Sequence, residues 1–319
     1  MISTIDSLFG IAPEMEGHVP VLAQETLEHL APRDGGLYLD CTFGGGGHTE
    51  LILQAAHCSV VAIDQDPFAA KRAEEVKARY GERFIFHRMN FETLDQLEEG
   101  PFDGILFDFG VSSYQLDEID RGFSFRGEAP LDMRMNPESG VSASTWLATA
   151  SRHQLIRAIR DYAEEKNWRR IVDAILQAQG KDELNTTSQL ANLILSCTPA
   201  RVRFSSKLHP ATKVFQGIRI AVNDELGVIE RGLPAAFQQL KTGGILCAIS
   251  FHSLEDRIAK NLFRKWAGRP EGARDNRPQD MREVLAELVS RRPVSASDKE
   301  VAENPRSRSA KLRVIRKVK

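Results

Sequence analysis

Short apolar runs separated by helical patterns make up the first part of the chain. Between these runs, apolar side chains recur at helical spacing over about 48–56 and again over 67–80. Short apolar strands that alternate with helices are typical of βαβ units with a parallel sheet. The pattern therefore predicts an α/β fold. The predicted strands are LYLDC at 37–41, VVAI at 60–63, FIFH at 84–87, GILFDFG at 104–110 and GGILCAISFHS at 243–253.

A helical region separates the fourth predicted strand from the fifth. Residues 144–198 are predicted to form helices in the runs STWLATA, HQLIRAIRDYAEEKNWRRIVDAIL and TSQLANLILSC. Ser151 and Thr187 are suitable N-caps, and Gly180 follows the second run as a C-cap would. The simplest interpretation is a helical insert in an α/β domain. The region after residue 269, rich in Arg and Pro, is predicted to be loop-like with one helix near 279–291.

Length and composition exclude several classes of protein. The 319 residues suit about two average domains or one larger α/β unit, and 42% hydrophobic with 27% charged residues is typical of a globular chain. No apolar run approaches the roughly 18–20 residues of a membrane span, and the first residues lack the features of a secretory signal. Four scattered cysteines without a C-x-x-C pair suit a reducing compartment, so we expect a cytoplasmic protein.

Charge is distributed unevenly along a nearly neutral chain. The net charge is −15 over residues 1–150 and +13 over 151–319. The segment 184–223 contains five Lys or Arg and no acid, and the tail 304–319 contains seven and no acid. Such basic segments are typical of a surface that binds a polyanion. The alternative is a solvated basic face that balances an acidic one.

A glycine-rich loop, CTFGGGGH at 41–48, follows the first predicted strand and leads into a helix. Glycines let a ligand approach the backbone, and a helix N-terminus offers free N–H groups. The dinucleotide pattern G-x-G-x-x-G fails because Thr49 or Glu50 stands where its third glycine belongs. Asp64 ends the next strand, where a carboxylate can accept hydrogen bonds from ribose hydroxyls. Together, the glycine-rich loop and Asp64 favour S-adenosylmethionine over a pyrophosphate as the ligand. The alternative is that the loop is only a tight turn and that Asp64 only caps a helix.

Two more residues follow predicted strands at the edge where such sheets bind ligands. Phe91 comes after the third strand, and its ring can stack on adenine or be buried in the core. Asp108 follows the apolar residues of the fourth strand. This position suits a reactive group, and the alternative is an Asp that only caps the loop.

Longer strings extend through nearly the whole chain. They are HVPVL at 18–22, DCTFGGGGHT at 40–49, AIDQDP at 62–67, FDFGVSSYQLD at 107–117, RGFSFRGEAPLDMRMNP at 121–137, HPATKVFQGIRIAVNDEL at 209–226, SFHSLEDR at 250–257 and NPRSRSAKLR at 304–313. On these strings, which stand in the family's order, the chain resembles the bacterial 16S ribosomal RNA cytosine-N4 methyltransferases of the RsmH (MraW) family.

The resemblance implies an architecture and a cofactor. The architecture is a Rossmann-like S-adenosylmethionine-dependent methyltransferase sheet in two parts, 18–122 and 213–319, with an inserted helical substrate-recognition domain at 123–212. The sequence departs from the family pattern at Gly45, where a basic or small residue is more usual, and at Tyr114, where Pro is common. By position, the implied cofactor-binding residues are Gly46, Gly47, His48, Asp64, Phe91, Asp108 and Gln115.

The resemblance also implies methyl transfer to the exocyclic N4 of a cytidine in the decoding region of 16S rRNA. The lone pair of N4 is delocalised into the ring, so catalysis requires positioning and an acceptor for an N4 hydrogen. General amino-methyltransferases carry Asp/Asn-Pro-Pro-aromatic after the fourth strand, and this chain keeps the acid without the prolines. We expect Asp108 to be catalytic and Gly110, Ser112 and Ser113 to shape the base pocket. The N4 proton can leave to water, so a strong base is not required.

Further candidate substrate contacts follow from position and charge. His252 and Ser253 come after the fifth strand, and His252 can bond the cytidine or only brace the loop. Arg134 can meet a phosphate or pair with Asp132. Lys213 belongs to the acid-free segment, which together with the basic tail is the candidate for phosphate contact. The alternative for the tail is a structural edge strand formed by the apolar residues Leu312, Val314 and Ile315.

The expected partner is 16S rRNA in the small ribosomal subunit, with the target base unstacked into the pocket. No membrane contact and no metal site are predicted, since His48 has no evident partner ligands. The oligomeric state does not follow from the sequence. The alternatives are a methyltransferase acting on DNA or protein, a non-catalytic RNA-binding protein with a vestigial nucleoside pocket, and a dinucleotide dehydrogenase. The intact Asp64 and Asp108 argue against the vestigial pocket, and the missing third glycine argues against the dehydrogenase.

Overall fold

One sheet organises the protein in the computed structural model, which describes residues 20–205, 209–270 and 275–319. The prediction of five strands near residues 37–253 is confirmed, and strands β6 to β8 extend the same sheet. None of the described helices is long and apolar enough to cross a membrane. The described strands are β1 Leu37–Asp40, β2 Ser59–Asp64, β3 Phe84–Arg88, β4 Phe102–Asp108, β5 Leu240–Ser250, β6 Ala286–Leu288, β7 Val294–Ser295 and β8 Lys311–Lys317.

The strand order is β3-β2-β1-β4-β5-β8-β6, with β7 also paired to β8. Strands β1 to β5 are parallel, and β8 runs antiparallel to both β5 and β6. The order reverses between β1 and β4, which is the place where ligands bind in open sheets of this class. The predicted α/β architecture with a parallel, Rossmann-like sheet is confirmed.

Helices cover both faces of the sheet and form the insert. Short 3₁₀ turns at 81–83, 91–96, 119–121, 279–281 and 305–309 join some of these elements. The described α-helices are α1 Ala23–Leu30, α2 Gly47–Ala55, α3 Pro67–Tyr80, α4 Ser113–Asp117, α5 Ala143–Thr149, α6 Arg152–Ile156, α7 Trp168–Ala178, α8 Thr187–Cys197, α9 Ala200–Ser205, α10 Ala211–Asn223, α11 Glu225–Gln239, α12 Ser253–Trp266 and α13 Asp298–Glu303.

Alternate residues of each strand enter different apolar clusters. Leu39 and Ile105 pack with α11 and α12 on one face, whereas Tyr38 and Leu106 pack with α1, α2 and α3 on the other. This is the period-two alternation of a sheet that is buried on both sides. The central strands are therefore held rigidly, and so are the residues at their carboxyl ends.

The helical region has an apolar cluster of its own. Its buried residues run from Phe123 to Ile218 and come from α5 to α8 and from α10. Helix α10 contributes Val214 and Ile218 although it begins the second predicted part of the methyltransferase domain. The domain limits at 122/123 and 212/213 stay predictions.

Within the insert, some local predictions hold and one does not. Ser151 caps α6, and Gly180 follows α7 with a φ of 76°. The N-cap of α8 is Thr186, one residue before the predicted Thr187. The single helix predicted over 153–176 is wrong, because a π-helical turn and a break separate α6 from α7. Gly217 of α10 approaches this turn so closely that a Cβ on it would lie 2.2 Å from the carbonyl oxygen of Ala158.

The helix predicted near 279–291 is also wrong. Residues 286–288 form strand β6, which pairs with β8 in the register Ala286↔Lys317. Hydrogen bonds to a distant strand outweigh the local helical spacing of the apolar residues. The tail forms a strand, as its apolar residues Leu312, Val314 and Ile315 indicated, but the strand lies between β5 and β6 and not at the edge.

Candidate active site

A cleft of about 1730 Å³ opens at the carboxyl ends of β1, β2, β4 and β5. Ligand sites usually occupy roughly 300–1000 Å³, so this cleft can hold a nucleoside cofactor and a second group together. The predicted residues Gly46, Arg134, Lys213 and Ser253 do not line it. The predicted residues that do are Gly47, His48, Asp64, Phe91, Asp108, Gly110, Ser112, Ser113, Gln115 and His252.

The glycine loop forms one wall of the cleft. Gly44 and Gly46 have φ angles of 53° and 84°, a region that favours glycine, and Gly46 is the N-cap of α2. A Cβ on Gly46 would lie 2.9 Å from the ring of Phe43, and one on Gly47 would lie 2.6 Å from Pro20. Side chains at these two positions would therefore clash with Phe43 and Pro20 and displace the loop. Its glycines leave the backbone and the first N–H groups of α2 open to a ligand.

Asp64, at the end of β2, fastens this loop. Its Oδ2 accepts a hydrogen bond from the Gly44 N–H at 2.8 Å, and its Oδ1 accepts one from the Asp66 N–H at 2.9 Å. Burial raises the pKa of the Asp64 carboxyl. Each carboxylate oxygen has a further lone pair, so Asp64 can hold the loop and still accept a hydrogen bond from a ligand hydroxyl.

Asp108 and His48 face each other in the cleft. The backbone N–H of Asp108 donates to Thr42 Oγ1 at 2.7 Å, which sets the end of β4 against the glycine loop. The carboxylate Oδ2 lies 3.7 Å from His48 Nε2. Within the described part of the chain, neither Asp108 Oδ1 nor His48 Nε2 has a hydrogen-bond partner. Burial lowers the pKa of His48 to about 4, which makes its ring neutral.

Negative neighbours surround Asp108. Burial raises its pKa well above the usual value, and the charges of Asp40 and Glu255 raise it further. Asp40 ends β1 and accepts a hydrogen bond from Thr49 Oγ1 at 2.7 Å, and burial raises its pKa to about 6. Sequence reasoning missed Asp40, although it ends the LYLD run directly before the glycine loop and could have been found there.

Gln115 joins a buried network that sequence reasoning also missed. Its Oε1 accepts from the Ser112 N–H at 3.0 Å, and Ser112 Oγ accepts from the Gln115 N–H, so the pair caps α4. Gln115 Nε2 donates to Asp66 Oδ2 at 2.7 Å, and Arg121 Nη1 donates to the same oxygen at 3.0 Å. This network supports the GVSS segment. Its contacts connect residues about fifty positions apart, which local patterns do not reveal.

Phe91 lies between the cleft and the core. The half-buried ring lines the cleft and packs edge-on against Phe107 with 5.2 Å between centroids. Helix α11 approaches it closely, since a Cβ on Gly232 would lie 2.4 Å from the ring. Phe91 is thus held in place by the core, and adenine stacking stays a prediction.

His252 braces the loop after β5. Its Nδ1 accepts from the Glu255 N–H at 3.4 Å, and its Nε2 lies 3.0 Å from Glu255 Oε1. Glu225, His252 and Glu255 each offer one ligand atom within 4.8 Å of the others, which is close enough for a metal ion. Arg219 nevertheless donates to both oxygens of Glu225 at 2.8 Å, so we interpret the group as an ion-paired brace.

The remaining predicted substrate residues lie outside the cleft. Arg134 donates to both oxygens of Asp132 at 2.8 and 2.7 Å, so the predicted pairing of these residues is confirmed. Ser253 begins α12, and Lys213 is exposed on α10. Lys207 of the acid-free segment lies outside the described residues. Phosphate contact by Arg134 or Lys213 stays a prediction.

The two departures from the family pattern face each other across the mouth of the cleft. A Cβ on Gly45 would lie 2.6 Å from the ring of Tyr114. The guanidinium of Arg72 lies over the same ring, 4.1 Å from its centroid, and Arg72 Nε donates to the Gly44 carbonyl at 2.7 Å. The large ring therefore occupies space that only glycine at position 45 leaves free.

The C-terminal region supplies a wall that sequence reasoning did not assign to the cofactor cleft. Glu300 of α13 accepts a hydrogen bond from the Leu22 N–H at 2.8 Å and lines the cleft. Arg306, which also lines it, pairs with Asp117 at 3.0 Å. These contacts join residues that are 278 and 189 positions apart, so no local signal reveals them.

Comparison with known proteins identifies the family. A sequence profile of the MraW methylase family matches residues 15–318. The chain belongs to the MraW methylase family. It is therefore a methyltransferase, and the predicted methyl donor, S-adenosylmethionine, is confirmed. The open glycine loop and the unpartnered polar atoms of Asp108 and His48 suit such a cofactor.

Similar proteins include two named ribosomal RNA small subunit methyltransferase H. The one from Gluconobacter oxydans is 47% identical over 303 residues, which cover 94% of this chain and 93% of that protein. The one from Rickettsia massiliae is 44% identical over 309 residues, covering 95% and 99%. Among solved structures, an rRNA methylase from Streptococcus thermophilus covers 95% of this chain and 100% of its own at 9% identity, with a TM-score of 0.43.

Proposed function

We propose that this methylase transfers a methyl group from S-adenosylmethionine to the exocyclic N4 of a cytidine in the decoding region of 16S rRNA. The names of its relatives support the small-subunit rRNA as substrate. The observation that carries the proposal is the Asp108 carboxylate at the end of β4, which lines the cleft beside the GVSS segment and has one oxygen without a hydrogen-bond partner.

The cofactor residues divide into those that shape the glycine loop and those that would bind. Gly46 and Gly47 let the loop pack closely against Phe43 and Pro20, as their Cβ contacts indicate. Asp64 would accept hydrogen bonds from the ribose hydroxyls, and Phe91 would offer its ring to the adenine. His48 would border the reacting centre. Gln115, which caps α4, would hold the base-binding segment in place. When bound, S-adenosylmethionine supplies an activated methyl group on a sulfonium.

Asp108 would act on the target base directly. A carboxylate that accepts an N4 hydrogen localises the nitrogen lone pair and aligns it for attack, which is chiefly a positioning and electrostatic effect. Gly110, with a φ of 100°, turns the chain after β4. Ser112 and Ser113 at the start of α4 would border the cytosine, and His252 would approach it from the loop after β5.

The insert at 123–212 would recognise the RNA. Arg201 and Arg203 are exposed on α9 and Lys213 on α10, and all belong to the acid-free segment. Arg134 pairs with Asp132 and would need to exchange this partner for a phosphate. Exposed cations contribute affinity for RNA without reading its sequence, so selection of one cytidine would depend on the fit of the unstacked base.

Methylation of purified small subunits tests this function. Subunits from cells that lack the protein are incubated with it and labelled S-adenosylmethionine, and the rRNA is digested and analysed by mass spectrometry. We expect N4-methylcytidine in a single decoding-region fragment. A C5 or 2′-O product would contradict the N4 assignment. Labelling of DNA or ribosomal protein with no label in rRNA would contradict the proposed substrate.

A further inference from the structure

Two polar side-chain atoms of His48 and Asp108 face each other in the cleft at a distance too long for a hydrogen bond. His48 Nε2 lies 3.7 Å from Asp108 Oδ2, and the His48 side chain is only 8% exposed. The His48 ring also bonds the backbone of Val21, a contact that raises its pKa, as a carbonyl accepting a ring N–H does. We assign this contact to Nδ1, because Nε2 is without a hydrogen-bond partner. Nε2 then presents a lone pair to Asp108, and one proton between them would satisfy both atoms.

The charges around Asp108 favour that proton when no cation is bound. Asp40 faces it from β1 and Glu255 from α12, and both are acids, while His48 of α2 is neutral. Within residues 20–205, 209–270 and 275–319, no Lys or Arg nitrogen lies within 4 Å of its carboxylate.

The arginines that line the same cleft have other partners. Arg219 is paired with Glu225, and Arg72 bonds the Gly44 carbonyl and stacks on Tyr114. An ionised Asp108 would therefore lack a counter-charge from these side chains. Burial and the acidic neighbours raise its pKa accordingly.

We propose that Asp108 exchanges one proton in step with the charge on the cofactor sulfur, so that it is ionised beside a sulfonium and protonated beside a thioether. This extends the proposed function, on which it rests. In the reaction, the N4 lone pair forms the new N–C bond while the S–C bond breaks and its electron pair stays on sulfur. One N4 hydrogen is then in excess, and Asp108 takes it as a proton. His48 Nε2 can accept the resulting O–H after a shift of less than about 1 Å.

The consequence is a carboxylate whose basicity rises at the moment when it is needed. An opposite charge nearby favours the ionised form of an acid, and removal of that charge favours the protonated form. The proton taken from N4 would leave Asp108 only when the product is exchanged for a new sulfonium. The same linkage would make the enzyme prefer its substrate cofactor to its product at neutral pH.

Proton release on binding tests the inference without RNA. Calorimetry of the full chain is run in buffers of different ionisation enthalpy with S-adenosylmethionine and with S-adenosylhomocysteine. We expect the sulfonium ligand to release up to about one proton more than the thioether at neutral pH. D108N should remove this difference. Protons released by ionisable groups of the ligands themselves should be the same for wild type and D108N, so they cancel in the comparison. D95N, which changes an exposed acid in the 3₁₀ turn at 91–96, should keep it. Equal proton release by wild type and D108N would overturn the proposal.

The affinity ratio of the wild-type protein provides a second measurement if D108N binds neither ligand. Only the ionised carboxylate favours the sulfonium, so the ratio of the two dissociation constants should change in favour of S-adenosylmethionine as the pH rises. The change should approach about tenfold per pH unit wherever Asp108 is ionised beside the sulfonium and protonated beside the thioether. A ratio independent of pH would overturn the proposal. Both experiments concern binding alone, so their outcome is separate from whether the chain methylates rRNA.

Discussion

Asp108 on β4 and Arg313 on β8 lie in the same sheet, but their charges have opposite surroundings. Arg313 donates to both oxygens of Asp256 at 2.8 and 3.1 Å, and nearby Lys317 donates to the backbone carbonyls of Phe237 and Leu240. Asp108 has an oxygen without a partner and acidic neighbours. The charge of the basic tail predicted an RNA contact and its apolar residues predicted a strand; the structure shows the strand, and the cations Arg313 and Lys317 bond to neighbouring elements. The number of charged residues therefore does not distinguish a structural role from a catalytic one. The presence or absence of an ion-pair or hydrogen-bond partner for each charged group does.

The largest effect is expected from D108N. Loss of the carboxylate should reduce single-turnover methylation of rRNA by at least about a hundredfold, the lower range for loss of a catalytic acid or base. The unfolding temperature should not fall, because no hydrogen bond of the carboxylate is lost and the amide replaces an acid whose pKa is raised on folding. D95N is the matched control and should keep full activity. Activity of D108N within about twofold of wild type would contradict the role of Asp108.

R313M should lower stability without lowering RNA affinity, in contrast to D108N, which should lower activity. Removing this cation leaves Asp256, a buried acid on α12, without its main partner and should lower the free energy of unfolding by about 3 kcal/mol. Denaturant unfolding measures this effect, and D256N in the same chain should restore part of the loss. RNA affinity of the folded fraction should stay unchanged. A specific loss of RNA binding with unchanged stability would instead make Arg313 a phosphate contact.

Asp40, an acidic neighbour of Asp108, tests whether the acids around Asp108 are destabilised by burial. Its folded pKa of about 6 exceeds the ordinary value of 3.8, so the folded state binds the proton more tightly than the unfolded state. The contribution of protonated Asp40 to the free energy of unfolding is fully present below about pH 4 and is lost as the pH rises through about 6. D40N should therefore raise the free energy of unfolding at pH 8 by about 2 to 3 kcal/mol relative to pH 4. An equal effect at both pH values would show that Asp40 does not carry this linkage.

The smallest effect is expected from the exposed tail cations. Reversing the charges of Arg306 and Arg308 with glutamates spares the buried residues of β8 and, within the described part of the chain, breaks the ion pair of Arg306 with Asp117. If both residues touch phosphates, the slope of log affinity against log salt should flatten by roughly 0.7 for each contact. The same charge reversal at the exposed residues Arg291 and Arg292 is a control for the effect of net charge on RNA binding. An unchanged slope would leave the tail with a structural role alone.

Local sequence patterns predicted the helices and strands well where the spacing of apolar residues along one segment determines its structure. The apolar runs located β1 to β5, and the helical spacing over 67–80 matches α3, whose N-terminus Asp66 and Pro67 set. The glycine loop and Asp64 followed from the same rules. The prediction failed where distant pairing decides, as in β6, which pairs with β8 instead of forming a helix.

Most of the cleft could be located from the sequence, but its electrostatics could not. Asp108 and His48 were both singled out, yet their approach to 3.7 Å depends on how β4 and α2 meet. The buried ion pair of Arg121 with Asp66 connects residues 55 positions apart. Such pairs decide which charges remain unpartnered, and they become visible only when the chain is folded.

The long interval between β4 and β5 has a consequence for how the protein folds. These neighbouring strands pair between Asp108 and Ile249, yet the whole helical insert lies between them in the chain. Contacts so distant in sequence slow folding, because the intervening loop must close before they form. The insert has its own apolar cluster built largely from nearby segments, so we expect it to condense early and draw the two strands together. Completion of the central sheet would then be the slow phase of refolding, limited by the docking of β5.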